Sequence, residues 1–169
     1  MTVALVAVVI AAASALRQAS DTRRTNLLLY TLELGARART PEFKRATEFV
    51  LTSLDGRDPA LGISGLPPAE REKVLLVGGY YQDLGMLVVT GVLEEHIAVA
   101  IHYTGIKTVW RALDPFIQGE RRLLDQRRAG GLWASFEHLA VYVEITPYDV
   151  MRRTNDRRFR RRRFPLPQD

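Results

Sequence analysis

The chain has 169 residues, a hydrophobic content of 47% and a formal net charge of +5, which suits one domain of ordinary size with short appendages. It has no cysteine, and this excludes disulfides, thiolate catalysis and cysteine-ligated metals while fitting a reducing compartment. Residues 151–169 hold eight Arg and two Asp, whereas the other 150 residues hold 16 basic and 17 acidic side chains. The positive balance therefore belongs to a tail, and the near-neutral body shows no overall basic surface for nucleic acid.

Residues 1–16, MTVALVAVVIAAASAL, carry no charged side chain. Three readings compete. One is a short membrane-spanning helix, which is the expected one. The second is a secretory signal ending at Ala13-Ser14-Ala15, although a basic n-region is missing. The third is a helix buried within the body. Arg17, Arg23 and Arg24 follow the segment and no Lys or Arg precedes it. The positive-inside rule then places the N-terminus outside and the body in the cytoplasm, at the inner membrane.

From Asp21 the pattern becomes amphipathic, with Leu27, Leu28, Tyr30, Leu32 and Leu34 opposed to Arg23, Arg24, Asn26 and Glu33. Thr40-Pro41-Glu42 reads as a helix N-cap, a first-turn proline and an acid that favours the helix N-terminus. Phe43, Ala46, Thr47, Val50 and Leu54 form one helical stripe, and Asp55-Gly56 ends it. Residues 55–67, with three Gly and two Pro, have no period and are expected to form a surface loop.

Pro68-Ala69-Glu70 starts the helix that leads into Val74–Gly91, a nearly continuous apolar stretch interrupted by Gln82 and Asp83. Its eight Leu and Val residues contribute about −2 to −5 kcal/mol on an insertion scale. One central Asp costs about +2.5 to +3.5 kcal/mol on the same scale. The balance is near zero, and a core helix, which needs only a partner for Asp83, is expected over a second membrane span. Gly78-Gly79 marks a close approach or a bend, and the stretch lacks the Lys-Ser/Thr of a phosphate loop. Leu93-Glu94-Glu95 opens another largely buried helix, with a break expected at Gly105. Asp114-Pro115 reads as a fresh start, Gly130-Gly131 as a stop, and Leu132–Glu144 as the last helix. No segment alternates with period two. The body is expected to be mainly α: a single domain of five to six helices over residues 17–150, preceded by the membrane helix at 1–16 and followed by an Arg-rich, disordered tail at 151–169.

Several motifs in this order resemble a bacterial family, the domain of unknown function 4760. They are Asn26–Leu34 (NLLLYTLEL), Thr40–Phe43 (TPEF), Tyr80–Gly85 (YYQDLG), Gly91–Glu95 (GVLEE), Val109–Ile117 (VWRALDPFI) with Arg121, and Trp133–Ala140 (WASFEHLA). The resemblance spans about residues 1–145. It implies a small helical protein, often beginning with a membrane segment, and it implies no activity, substrate or cofactor.

Three polar groups invite a role. Asp83 in an apolar helix needs a partner, and Arg111 or Arg121 would supply a structural ion pair that sets helix register. His96, His102 and His138 do not have the spacing of a shared metal site, and Glu95-His96 lacks the second His of a zinc-protease motif. No catalytic residue, metal or cofactor is therefore expected. In the tail, Arg152, Arg153, Arg157, Arg158, Arg160, Arg161, Arg162 and Arg163 suit anionic lipid or phosphate, and Phe159 and Phe164 suit insertion at the membrane interface. Nucleic-acid phosphates are the alternative partner of the same arginines. The expected function is that of a membrane-anchored cytoplasmic helical module with a scaffolding or regulatory binding role.

Overall fold

The computed structural model describes Tyr30, residues 32–124 and residues 130–146, and these are all α-helix, 3-10 turn or connection, with no strand among them. The chain divides into two compact units, residues 1–39 and 40–169. In the first, residues 32–37 are helical, and Arg37 pairs with Glu33 one turn earlier at 3.0 Å. The segment 1–16 and the tail 151–169 lie outside the described residues.

The second unit is built from α1 (Pro41–Thr52), α2 (Pro68–Val89), α3 (Glu95–Leu123) and α4 (Ala134–Ile145). α1 starts where the sequence places it. Thr40 Oγ1 accepts from the Phe43 N–H at 3.2 Å, Pro41 occupies a position whose N–H would have no helical partner, and Glu42 sits in the first turn. Phe43, Ala46 and Val50 of the expected stripe are buried, as is Leu54 just beyond the helix.

The segment 55–67 is more ordered than its composition suggests. It forms two 3-10 turns, Leu54–Gly56 and Pro59–Leu61, and buries Ile63 and Leu66. The second turn packs against α3. The fit depends on two glycines: a Cβ at Gly119 would lie 2.0 Å from the Pro59 carbonyl oxygen, and Gly62 has φ +65 with its own Cβ position against Glu120. Glu120 Oε2 accepts from the Ser64 N–H at 2.7 Å, and Arg57 Nε donates to Glu70 Oε2 at 2.8 Å. The segment is thus fastened to α3 at one point and to the start of α2 at another.

α2 packs against α1, α3 and α4. Val74, Val77, Tyr80, Tyr81, Leu84 and Leu87 are buried, which explains why its sequence is apolar on more than one face. It ends in a Schellman arrangement. Gly91 takes φ +72, its N–H donates to the Val88 carbonyl at 2.9 Å, and the Val92 N–H donates to the Leu87 carbonyl at 2.8 Å. No helix among the described residues is long and apolar enough to cross a membrane.

α3 corrects two expectations. It runs unbroken for 29 residues, about 43 Å at 1.5 Å per residue, through both Gly105 and Pro115. Pro115 removes one backbone donor, a cost met by keeping Leu113, Phe116 and Ile117 on one continuous buried face. Asp114 does not cap a new helix; its Oδ1 accepts from Gln118 Nε2 at 3.0 Å. Gly105 is a clearance and not a break, because a Cβ there would lie 2.3 Å from the Tyr81 hydroxyl.

Candidate functional site

Gln82, in the middle of α2, faces the start of α4. Trp133 precedes α4 with a left-handed backbone, φ 53, unusual for a bulky residue, and offers no side-chain cap. Its buried indole fills the notch at Gly78, where a Cβ would lie 2.2 Å from the ring. One helical step along, Gln82 Oε1 accepts from the N–H groups of Ser135 and Phe136, each at 3.1 Å. Gln82 therefore caps α4 from another helix, satisfying two donors that α4 cannot satisfy itself. A further turn along, Gly85 admits the Ser135 backbone, whose carbonyl oxygen would lie 2.2 Å from a Cβ, and Ser135 Oγ donates to Met86 Sδ at 3.1 Å.

Behind this junction lies an aromatic cluster. Tyr81 stacks on Phe136 with ring centroids 4.9 Å apart, and Trp110 meets Phe136 edge-on at 5.0 Å. Tyr80 contacts Phe43 at 4.7 Å and Tyr81 at 5.1 Å, and its hydroxyl lies 3.4 Å from His102 Nε2. Burial pushes the Tyr80 phenol above its ordinary pKa. Tyr81 is pushed higher still, by burial first and then by its neighbour Tyr80. Burial moves His102 the other way, below its ordinary value, since desolvation penalises whichever form is charged. Neutral phenols and a neutral imidazole packed this way act as core, with one weak polar link.

Arg121 and Arg111, grouped with Asp83 in the sequence, engage carboxylates of α4. Arg121 Nη2 donates to Glu137 Oε2 and to the Leu132 carbonyl, both at 2.7 Å. Arg111 Nη2 donates to Glu144 Oε1 at 3.0 Å, and Lys107 Nζ lies 3.7 Å from the same carboxylate. α3 and α4 pack against each other, which brings these acids to the arginines. Asp83 is half-buried on α2. The tail arginines Arg152 to Arg163, with Phe159 and Phe164, lie outside the described residues.

The histidines take separate partners. His96 Nδ1 is 3.3 Å from Glu94 Oε2 and His138 Nε2 is 2.9 Å from Glu95 Oε1. Among the described residues no three His, Asp or Glu side chains gather as metal ligands. The sequence reading passed over two features, the cap supplied by Gln82 and the meeting of Glu95 with His138. Their only signal was that Tyr80–Gly85, Gly91–Glu95 and Trp133–Ala140 are the segments involved.

The fold and this junction define a small all-α domain in which a glycine-notched central helix seats and caps the last one. The chain belongs to the family described as Domain of unknown function (DUF4760), which matches residues 1–142. No curated protein matches the chain, and no solved structure does so.

Proposed function

We propose that this protein is a membrane-anchored helical module with a scaffolding or regulatory binding role, its anchor being residues 1–16 and its helical body lying on the cytoplasmic side of the inner membrane. The observation that carries this reading is the charge-free segment 1–16, followed but not preceded by arginines. Two features of the body support it. Its described helices are occupied in packing against one another, its side chains Lys107, Arg111 and Arg121 are engaged in pairs that join helices, and Arg57 ties the connecting segment to α2. The tail adds a second attachment: each arginine near an anionic leaflet contributes up to about 1 kcal/mol, less the cost of ordering the segment, with Phe159 and Phe164 entering the interface.

Membrane fractionation tests the anchor. The intact chain is expected to sediment with membranes and to leave them in detergent but not in salt, and a chain lacking residues 2–16 is expected to lose that behaviour. An intact chain that stays in solution without detergent ends the proposal. A second reading, nucleic-acid binding through the tail, is favoured by the interleaving of Phe159 with Arg157 to Arg163. It requires binding to single-stranded nucleic acid that falls steeply with salt and disappears when residues 151–169 are removed.

A further inference from the structure

The C-terminal end of α2, the turn at Gly91 and the start of α3 enclose, with α4, an open groove of about 580 Å³. One wall is apolar, from Val88, Val89 and Leu93, and the other carries Glu94, Glu95 and His138. Among the described residues no Lys or Arg lines it. Val89 is 58% exposed although apolar, and the Glu94 side chain is 66% exposed. Glu95 Oε1 is sheltered from solvent and lies 2.9 Å from His138 Nε2, while its second oxygen adds acceptor capacity on the same wall. The groove thus combines an apolar shelf with two acids, and it suits a segment in which arginines alternate with aromatic side chains.

We propose that this groove is the docking site of the chain's own Arg-rich tail, residues 151–169. Charge supports the match, since eight of the 24 basic residues stand in those 19 positions while the rest of the chain is close to neutral. The guanidinium groups supply donors in a planar fork that fits a carboxylate, and Phe159 supplies the apolar face for Val88, Val89 and Leu93. Reach also supports it. His138 and Thr146 stand eight residues apart at the end of the same helical segment, so the chain must return about 12 Å at 1.5 Å per residue. Arg152 is six residues past Thr146, about 20 Å of extended chain, and Arg158 is about twice as far. A tether of that length holds the tail at millimolar effective concentration, so even weak contacts populate the docked state. An arginine held by Glu94 and Glu95 is withheld from an anionic surface, which makes the groove a competitor for any external partner of the tail. Docking within the chain does not require the membrane anchor, so the two proposals fail separately.

Because the chain has no cysteine, engineered pairs report the contact in the full-length protein. Val89→Cys with Phe159→Cys is expected to form an intramolecular disulfide under mild oxidation about tenfold faster than Leu51→Cys with Phe159→Cys, a pair whose first member is exposed on α1. Glu94→Gln with Glu95→Gln, or high salt applied to the unaltered groove, is expected to bring the first pair down to the rate of the second. Circular dichroism and melting of each variant verify that the helices persist, and the salt arm needs no altered acid at all. Equal rates for the two pairs, or a fast rate indifferent to both the substitutions and salt, overturn the proposal. Disulfides formed between chains and not within one assign the groove to a second copy and overturn it equally.

Discussion

The two sides of α4 are held by different physics. Toward α2 the contact is shape: Gly78 and Gly85 leave notches that Trp133 and the Ser135 backbone fill, and Gln82 caps the backbone donors of Ser135 and Phe136. Toward α3, part of the contact is charge: Arg121 with Glu137, and Lys107 and Arg111 with Glu144. Close packing tolerates almost no added volume, whereas exposed ion pairs tolerate loss because water replaces the partner. The α2 side should therefore decide whether α4 docks, and the α3 side should only trim its stability.

The largest expected effect comes from filling a notch. Gly85→Ala places a Cβ against the Ser135 backbone, which cannot rotate away, and should cost about 3 kcal/mol or more in urea denaturation. Gly79→Ala is the counterpart on the same helix. Nothing lies within 4 Å of that Cβ position, so it should be neutral or add up to about 1 kcal/mol. Equal effects from the two would mean that helix propensity, not the notch, governs the position.

Next comes the cap. Gln82→Leu removes the acceptor of two backbone donors at the start of α4 and should cost about 1–2 kcal/mol. Gln82→Glu keeps an acceptor, and its charge suits a helix N-terminus, so it should recover most of that loss. If Gln82→Glu is as damaging as Gln82→Leu, the amide serves another purpose.

These residues also show what could be read without coordinates. Thr40-Pro41-Glu42 and the stripe from Phe43 to Val50 were legible because caps and helical period are local. The all-α class followed from the same signals. Pro115 was misread as a start because a buried face on both sides outweighed one missing donor. Gly105 was misread as a break because its purpose, clearance for Tyr81, lies on a different helix. Gln82 drew notice as a polar residue in an apolar run, yet its partners are 53 and 54 residues away. The pairs Arg121–Glu137 and Arg111–Glu144 are equally a matter of tertiary placement, which no local pattern encodes.

Between notch and rim lies His102, whose pKa burial lowers below the ordinary 6.5. Above pH 6.5 the imidazole is neutral in both folded and unfolded chains and its protonation adds no penalty. As pH falls below 6.5 the unfolded chain takes up the proton first, so stability declines until pH passes below the folded value. His102→Phe keeps an aromatic ring beside Tyr80 and removes that titration. Melting temperature measured downward from pH 7 should fall less steeply in this variant than in the parent. Parallel curves would show that other groups account for the whole slope.

The smallest effect is expected at the rim. Glu144 serves both Arg111 and Lys107, but its side chain is 47% exposed and that of Arg111 is 62% exposed. Both can be solvated when the pair opens, so Glu144→Gln should cost less than about 1 kcal/mol. The difference from the parent should shrink as salt rises, because the screening length falls to a few ångströms near molar ionic strength. Arg121 sets the upper bound for this side. Its side chain is only 15% exposed and also holds the Leu132 carbonyl, so Arg121→Ala should exceed Glu144→Gln and retain most of its cost in salt. A Glu144→Gln cost as large as that of Gly85→Ala would mean that charge, and not shape, seats the last helix.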